Sequence, residues 1–286
     1  MTDTHFTGDA GSLLYGAADS EANLTRVLDQ LVASGAVLDA IVLSGDLADR
    51  GEAGAYRRLR SIVEPAADRL GARIVWAAGN HDDRATFRSL LLDGGGIGTP
   101  GVTDVEPAAP IHGAIRLGDL RVIVLDTSVP SHHHGELDVD QLAWLEHELA
   151  TPAPDGSIIV MHHAPLPAVL DLAATVELRD QKALADVLRG SDVRSILGGH
   201  VHYSSSGTFA GIPVSTATST AYTQDLSVEV GGTRGRDGAH GFSLVYVYDD
   251  TVLHSVVPAG DFPTVGEFVS PEKARERLAA AGILRD

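Results

Sequence analysis

The sequence has no cysteine, so disulfide bridges and thiolate metal sites are both excluded. It also lacks an apolar run long enough to cross a bilayer, and its first residues, MTDTHFTGDAGS, lack the basic and apolar segments of a signal peptide. These absences predict a cytoplasmic protein with no membrane span. Any metal must be bound by oxygen atoms and imidazole nitrogens, and the 13 histidines supply the nitrogens.

Positive charge is also scarce. Lys and Arg number 21 against 39 Asp and Glu, which gives a formal net charge of −18. A surface this acidic repels nucleic acid and anionic membranes, so neither is expected as a partner. It also repels phosphate-bearing substrates. A protein of this composition that handles phosphate therefore needs local positive charge, for which metal ions are the obvious source.

Segments rich in Val and Ile alternate with amphipathic helical segments along most of the chain. The strand-like segments are 39–46, 73–80, 120–128, 157–163 and 193–200. Helical periodicity covers 19–35, 52–70, 139–150 and 179–190. Pro65 is expected to kink or split the second of these helices. The alternation predicts an α/β layered fold.

The last third of the chain differs, because strand-like segments follow one another without helices between them. An antiparallel section is therefore expected, followed by a final helix that Ser270 caps. The glycine-rich segments 93–101 and 231–241 are predicted to be surface loops. Since no segment resembles a linker, we expect one domain over residues 1–286.

Side chains of the kinds that bind metals follow the strand-like segments and also occur close to the N-terminus. They are Asp3, His5, Asp46, Asp49, Asn80, His81, Asp82, His162, His163, His200 and His202. Each group alone is better explained as a polar strand end. Loops beyond the carboxyl ends of strands gather in one crevice, however, so the whole set predicts a shared metal site.

Local geometry supports this interpretation. Side chains two apart in an extended segment point the same way, so His200 and His202 are expected to face one place together. The glycines directly before Asp46, Asn80 and His200 are expected to permit tight turns and a close approach to metals.

Carboxylate, amide and imidazole ligands suit cations such as Mn²⁺, Fe and Zn²⁺. Seven of these side chains are the candidate ligands: Asp3, His5, Asp46, Asn80, His162, His200 and His202. Seven ligands exceed what one tetrahedral ion needs, and they fit two ions about 3.5–4 Å apart that share a carboxylate. Such a pair lowers the pKa of a water held between the ions, and the hydroxide that results can attack a phosphodiester. We expect His81, which is adjacent to the candidate ligand Asn80 in the sequence, to protonate the leaving oxygen as the general acid.

The ordered series Asp-x-His, Gly-Asp-x-x-Asp, Gly-Asn-His-Asp, a later His and Gly-His-x-His resembles the calcineurin-like metallophosphoesterase superfamily. Segments such as IVLSGDLADRGE and YTQDLSVEVGGTRGRDGA further resemble the mycobacterial class III cyclic nucleotide phosphodiesterases within it. The resemblance implies a four-layer αββα sandwich, a homodimer, and two metal ions per chain. These would be Mn²⁺ and/or Fe, with Zn²⁺ as a further candidate.

The resemblance also implies a ligand set. Asp3, His5 and His202 would bind one metal, Asn80, His162 and His200 the other, and Asp46 would bridge the two. Asn80, His81 and His202 are the residues expected to contact the substrate. In one respect the chain departs from the superfamily, whose members have an apolar strand before Asp-x-His, because only Met1 and Thr2 precede Asp3 here. A missing central strand is expected to leave hydrogen bonds unmade and to loosen Asp3 and His5.

Other polar residues have more ordinary interpretations. Asp49 either orients an imidazole or caps the next helix, and Asp82 is a second candidate for orienting an imidazole. His163 is expected to point away from its neighbour His162. His132, His133 and His134 are predicted to form a polar loop near the mouth of the cleft, with substrate contact as an alternative. Arg234 and Arg236 are predicted to lie in a solvated loop, with contact to a phosphate as the alternative. His112, His147, His240 and His254 are interpreted as structural or surface residues.

Three functions are compatible with these residues. The first is metal-dependent hydrolysis of cyclic nucleotides, with 3′,5′-cAMP as the main substrate and 2′,3′-cyclic nucleotides as a wider range. The second is a broader phosphodiesterase that acts on substrates such as glycerophosphodiesters. The third is a non-catalytic scaffold of the same fold, against which the presence of all seven ligands and His81 counts.

Overall fold

Helices and strands alternate through most of the protein in a computed structural model that describes residues 1–98 and 106–283. The helices are α1 (Ser20–Ala33), α2 (Ala53–Leu70), α3 (Arg84–Leu91), α4 (Val139–Leu149), α5 (Gln181–Leu188) and α6 (Pro271–Ala280), and a 3₁₀ helix covers Asp171–Val176. The first six strands are β1 (Ala40–Ser44), β2 (Arg73–Ala77), β3 (Gly113–Leu117), β4 (Leu120–Leu125), β5 (Ser157–Met161) and β6 (Val193–Gly198). The later strands are β7 (Ser205–Phe209), β8 (Ile212–Thr216), β9 (Thr223–Gln224), β10 (Gly235–Arg236), β11 (Gly241–Val247) and β12 (Val252–Pro258).

Within residues 1–98 and 106–283, the strands form one large sheet and three smaller pairs. The large sheet has the order β3-β4-β5-β6-β8-β7, in which β4, β5, β6 and β8 are parallel and the outer strands β3 and β7 are antiparallel to their neighbours. Strands β1 and β2 form a parallel pair, while β11 and β12 form an antiparallel hairpin. The carboxyl ends of β1, β2, β5 and β6 carry the loops with the candidate ligands, as the sequence predicts.

Alternating side chains of the large sheet separate two apolar cores. In β4, Val122 and Val124 pack in the core that contains β1, β2 and the apolar faces of α1 and α2. Ile123 and Leu125, on the opposite face of the same strand, pack against α4 and α5. Both faces of the strand are buried, which explains its continuous apolar sequence. The resulting order of helices, sheet, sheet and helices confirms the predicted four-layer sandwich.

Several local predictions are confirmed and one is not. The predicted strands and helices form within a few residues of their expected bounds, and Ser270 caps α6 by accepting a hydrogen bond from the N–H of Lys273 (3.2 Å). Helix α2 runs through Pro65 as one element, so the predicted split is wrong. The helix buries an apolar face from Tyr56 to Leu70, and this tertiary packing outweighs the lost backbone hydrogen bond.

The glycine-rich segments have different outcomes. Residues 99–101 of the predicted loop 93–101 lie outside the described residues. The segment 231–241 contains the short strand β10, which pairs with β9, so it is not wholly a loop. Among the described helices, none is long and apolar enough to cross a membrane.

The N-terminal residues lie beside β1 and the loop that follows it. The amino group of Met1 donates to the carbonyl of Val42 (3.0 Å), and the N–H of Ser44 donates to the carbonyl of Met1 (3.0 Å). The N–H groups of Asp3 and His5 then donate to the carbonyls of Gly45 and Asp46, each at 3.0 Å. The expected loosening of Asp3 and His5 is therefore absent, because these bonds fix both residues without a complete strand.

A cavity of about 880 Å³ lies between β1 and β11, with Met1 in its wall. Ile41 and Val42 line one side, and Leu244 lines the other. Apolar side chains of β1 and β11 therefore face each other across this cavity.

Candidate metal centre

Three side chains from distant parts of the sequence form the first half of the cluster. Nε2 of His5 lies 3.1 Å from Nε2 of His202, and Nε2 of His202 lies 3.2 Å from Oδ1 of Asp3. The distance from Nε2 of His5 to Oδ1 of Asp3 is 3.9 Å. All three residues are buried. The atoms therefore converge on one point, as expected for residues that bind a single cation.

Asp46 connects this group to the second half of the cluster. Its Oδ2 lies 3.6 Å from Nε2 of His5 and 3.1 Å from Nε2 of His162. The ring of His200 lies next to that of His162, with centroids 5.1 Å apart. The backbone N–H of His81 donates to Oδ1 of Asp46 (2.9 Å), which brings the Asn80 turn to the same place. One carboxylate thus lies between two sets of ligand-type atoms.

Four buried atoms of the cluster have no hydrogen-bond partner among the described residues. They are Oδ1 of Asp3, Oδ1 of Asn80, Nε2 of His162 and Nε2 of His200. Buried polar atoms are nearly always paired, since an unpaired one costs about 1–3 kcal/mol. All four belong to residues that the sequence predicts as ligands. The unpaired atoms show that these residues suit bound metal ions, because a cation placed among them would give each atom a partner.

The spacing of the atoms agrees with metal ligands. Bonds of about 2.0–2.2 Å to one ion place neighbouring ligand atoms roughly 2.8–3.6 Å apart at right or tetrahedral angles. The closest separations in the cluster, 3.1 Å, 3.2 Å and 3.1 Å, fall in that range. Two imidazole nitrogens at 3.1 Å would repel each other if both carried lone pairs with no proton or cation between them. The donor set therefore fits two borderline cations.

The other ring nitrogen of these imidazoles is occupied by the protein. Nδ1 of His162 donates to the carbonyl of Ser44 (2.9 Å), and Nδ1 of His202 donates to the carbonyl of Tyr222 (2.9 Å). Nδ1 of His5 lies 3.3 Å from Oδ1 of Asp49. Such contacts fix the ring orientation and leave Nε2 free for a metal. Asp49 therefore orients an imidazole, and its alternative role as a helix cap is wrong, because α2 begins after Glu52.

His163 differs from its neighbour His162. Both of its ring nitrogens have protein partners, since Nδ1 lies 2.8 Å from Oγ1 of Thr127 and Nε2 donates to the carbonyl of His133 (3.0 Å). Its ring nevertheless packs 4.3 Å from that of His200. Because its hydrogen bonds are already made, His163 supports the cluster and does not compete with His162 for a metal.

The expected geometry of His200 and His202 is wrong in one respect. The chain leaves the strand at Gly198, and both histidines have positive φ values, 73° and 57°. Their rings therefore serve opposite halves of the cluster and do not face one place together. Asp3, His5 and Asp46 also have positive φ values, 52°, 41° and 52°. This conformation is uncommon outside glycine, and backbone strain of this kind concentrates at functional sites.

Glycines permit the close packing around the cluster. A Cβ atom on Gly79 would lie 2.2 Å from Oδ1 of Asp46, and one on Gly199 would lie 1.9 Å from Oγ1 of Thr2. These glycines directly precede Asn80 and His200. The sequence-based expectation of a close approach is confirmed for both.

Burial and neighbouring charges shift the pKa values of the candidate ligands towards the protonation states that cations require. Burial alone would raise the pKa of Asp46, but the adjacent His162 holds it well below its usual value. Burial would lower the pKa of His162, yet the carboxylates of Asp46 and Asp3 raise it to about 9. Burial and the neighbouring His162 lower the pKa of His200 to about 3. The carboxylates are thus ionised, His200 is neutral, and a cation at His162 would replace a proton.

Asp82 has a different role from the predicted one. Its carboxylate contacts none of the imidazoles but accepts hydrogen bonds from the N–H groups of Leu47 (3.1 Å), Ala48 (3.0 Å) and Gly79 (2.9 Å) and from the hydroxyl of Tyr56 (2.9 Å). Burial, followed by the charge of Asp46, raises its pKa to about 6. Asp82 therefore ties the loop that carries Asp46 to the loop that carries Asn80 and His81.

The remaining histidines and arginines lie outside the cluster, and among them His134 and His240 are buried. His133 is at the rim, with Nδ1 3.2 Å from Nδ2 of Asn80, which agrees with the predicted position of its loop. Arg234 and Arg236 both pair with Asp225, at 2.5 Å and 3.5 Å. His112 and His254 are remote, with His112 against Trp144 and His254 hydrogen-bonded to Ser195.

Tyr222 is a site residue that the sequence reasoning missed. Its ring packs 4.2 Å from that of His202, and its carbonyl accepts the hydrogen bond from the same histidine. A lone aromatic residue in an irregular loop gives no periodic signal. Only its place in the segment YTQDLSVEV, which carries part of the resemblance, indicated that the region mattered.

Comparison with known proteins agrees with this geometry. Residues 1–204 match the model of the calcineurin-like phosphoesterase family. A cAMP/cGMP dual specificity phosphodiesterase of Mycobacterium tuberculosis is 57% identical over 283 residues, which cover 99% of this chain and 86% of that protein. A probable cyclic nucleotide phosphodiesterase of Rhodococcus erythropolis is 56% identical, over 99% of this chain and 90% of that protein.

A solved structure is similar in fold. A dimetal phosphatase from Danio rerio superposes with a TM-score of 0.62 at 16% identity, over 91% of this chain and 94% of that one. At this identity the likeness concerns the fold alone.

Replacing His200 by Ala is expected to lower the bound metal from two ions per chain to one, because its buried Nε2 has no hydrogen-bond partner among the described residues and is therefore left to bind a cation. Metal per chain is measured by elemental analysis after dialysis against Mn²⁺ and gel filtration. His163→Asn is the matched control, since His163 is adjacent and buried but already hydrogen-bonded. Equal loss of metal in both variants, or in neither, would contradict the assignment of His200.

Replacing Asp82 by Ala is expected to lower the free energy of unfolding by at least about 3 kcal/mol, because three backbone N–H groups and a hydroxyl lose a charged acceptor. The loops that carry Asp46 and Asn80 should then bind metal more weakly. Urea unfolding measures the first effect and Mn²⁺ titration the second. Tyr56→Phe removes one of the four donors and should cost about 1 kcal/mol. If Tyr56→Phe had as large an effect as Asp82→Ala, the carboxylate would not be the main tie.

Proposed function

The chain belongs to the calcineurin-like phosphoesterase family, and we propose that it is a metal-dependent hydrolase of cyclic nucleotides, with 3′,5′-cAMP as its main substrate and 2′,3′-cyclic nucleotides as a wider range. The observation that carries this proposal is the set of four buried, unpaired ligand atoms around Asp46. The substrate class follows from the high identity to proteins named as cyclic nucleotide phosphodiesterases over nearly the whole chain.

Two metal ions, which we propose to be Mn²⁺ and/or Fe with Zn²⁺ as a further candidate, would polarise the phosphoryl oxygens and activate a water when bound. Asp3, His5 and His202 would hold one of them, and Asn80, His162 and His200 the other. Asp46, which lies between the two sets, would contact both. The hydrogen bonds to Nδ1 of His162 and His202 keep the ligand nitrogens in place before substrate binds.

The contacts of His81 support its proposed role as the general acid. Its Nδ1 donates to the carbonyl of Asp49 (2.7 Å), so Nε2 is the nitrogen left to face a substrate. Its ring lies 4.7 Å from that of His5, at the edge of the cluster, and its side chain is partly exposed. A proton delivered from Nε2 to the leaving ribose oxygen would stabilise a poor alkoxide leaving group.

Asn80 and His202 are the other residues that we propose to contact substrate. Nδ2 of Asn80 points towards His133 at the rim, while its Oδ1 is buried and unpaired. The amide can therefore bind a metal through oxygen and a phosphoryl oxygen through nitrogen. His202 lies between the cluster and the aromatic ring of Tyr222, where the rest of a nucleotide would extend.

Other properties stay predictions. A homodimer, a cytoplasmic location and a single domain over the whole chain are expected from the sequence. The alternatives to a cyclic nucleotide phosphodiesterase are a broader phosphodiesterase with the same site and a scaffold that binds metal without catalysis.

A substrate panel distinguishes these functions. The Mn²⁺-loaded protein is expected to hydrolyse 3′,5′-cAMP with a kcat/KM at least tenfold above that for glycerophosphocholine, because the Mycobacterium and Rhodococcus relatives, which are more than half identical to this chain, are named for cyclic nucleotides. Product formation is followed by chromatography. Faster hydrolysis of glycerophosphocholine would favour the broader phosphodiesterase, and hydrolysis of neither would favour the scaffold.

His81→Ala is expected to retain both metals and to lower kcat for 3′,5′-cAMP by about 10²–10⁴-fold, the usual contribution of a general acid. Hydrolysis of a p-nitrophenyl phosphodiester should fall far less, because p-nitrophenolate leaves without a proton. His112→Ala, remote from the cluster, is the control. An equal loss on both substrates would remove the general-acid role from His81.

A further inference from the structure

Two neighbouring tyrosines, one exposed and one largely covered, lie beside the candidate metal centre. The ring of Tyr222 lies 4.2 Å from that of His202 and 6.1 Å from that of His5, measured between centroids. The ring of Tyr15 continues outward from Tyr222, at 5.7 Å and nearly perpendicular to it. Tyr15 is 68% exposed, whereas Tyr222 is largely covered. The pair leads from the ligand histidines into solvent on the side of the cluster formed by His5 and His202.

The fold holds both rings in place. The ring of Tyr222 packs directly on Gly235, where a Cβ atom would lie 3.1 Å from its Cδ2. Tyr15 occupies a turn closed by the hydrogen bond from the N–H of Leu14 to the carbonyl of Ala18 (2.8 Å). Leu14 and Ala18 are buried against Ala221, next to Tyr222 in sequence. The turn is thus fixed to the segment that carries Tyr222.

Core packing does not explain the exposed position of Tyr15. Its backbone has a φ of 51°, a conformation that costs a non-glycine residue stability. Leu14, immediately before it, supplies the buried contact of this turn. The exposed aromatic ring therefore gains little from folding, although the turn holds it in a strained and defined position. This combination is typical of a group retained for binding.

We propose that Tyr15 and Tyr222 form the surface on which the nucleobase of the substrate stacks, an inference that rests on the proposed hydrolysis of cyclic nucleotides. With the phosphate among the candidate metal ligands, the ribose spans the region of His202 and Tyr222 and the base reaches Tyr15. An aromatic ring accepts any base through its π-face, so adenine and guanine both fit. The hydroxyl of Tyr15 is not required for stacking.

Tyr15→Ala and Tyr15→Phe test this assignment in the Mn²⁺-loaded protein. KM and kcat are measured with 3′,5′-cAMP and with 1-O-methylribose 3′,5′-cyclic phosphate, which keeps the reacting ring and lacks the base. Tyr15→Ala is expected to raise KM for 3′,5′-cAMP by about 5- to 100-fold, the range of base–aromatic stacking. KM for the base-free substrate and kcat for both should change less than twofold. Tyr15→Phe should behave like the unmodified protein.

Tyr248→Ala serves as the matched control, because Tyr248 is also an exposed tyrosine but lies at the end of β11, outside the segments that form the cluster. An unchanged KM for 3′,5′-cAMP in Tyr15→Ala, or an equal rise for both substrates, would overturn the stacking role and leave the proposed hydrolysis intact. Failure of the unmodified protein to hydrolyse 3′,5′-cAMP, with turnover of another phosphodiester, would instead overturn the proposed function.

Discussion

Buried lone pairs that face one another are the constraint on which this structure depends. Four oxygen and nitrogen atoms around Asp46 have no hydrogen-bond partner among the described residues, and Nε2 of His5 and of His202 lie 3.1 Å apart. Each unpaired atom costs about 1–3 kcal/mol, and each strained backbone position a similar amount. Cations bound at this point would offset both costs. Metal binding and folding stability are therefore linked here, since a ligand that binds only the folded state stabilises it.

Contacts elsewhere in the fold hold the ligand-type atoms around Asp46 together, although leaving them unpaired costs free energy. Parallel strands bring the loops after β1, β2, β5 and β6 to one edge, and Asp82 fastens the first two of these loops through backbone N–H groups. Carbonyl groups of Ser44 and Tyr222 hold the Nδ1 atoms of two imidazoles. Each of these contacts restricts the side-chain rotation of a candidate ligand in the folded protein. Less conformational entropy is then lost when the ligand binds a metal. These contacts orient the candidate ligand side chains through groups of the protein itself.

The sequence patterns predicted which residues form the site more accurately than they predicted the local geometry of those residues. Apolar strands followed by His and Asp residues predicted which side chains would converge, because the carboxyl ends of parallel strands meet at one edge. The division of these residues between two metals came from the family resemblance and stays a prediction. The orientation of His200 and His202 was wrong because an extended chain was assumed, whereas positive φ values direct the two rings to opposite halves. The predicted role of Asp82 was also wrong, since its partners include the backbone N–H groups of Leu47 and Ala48, which lie more than 30 residues away in the sequence. Tertiary contacts of this kind leave no periodic trace in a sequence.

The acidic composition determines how an anionic substrate can be bound. The chain has a net charge of −18, and the guanidinium groups in the segments that border the cluster are paired, Arg50 with Asp49 and Arg234 with Asp225. Attraction for the phosphate must therefore come from cations held by Asp46 and its neighbours. Those cations would bind any phosphodiester alike, because they interact only with its phosphoryl oxygens. Selection among phosphodiesters then requires uncharged contacts farther along the substrate, which is the contribution that an aromatic surface beside His202 can make without changing the charge of the site.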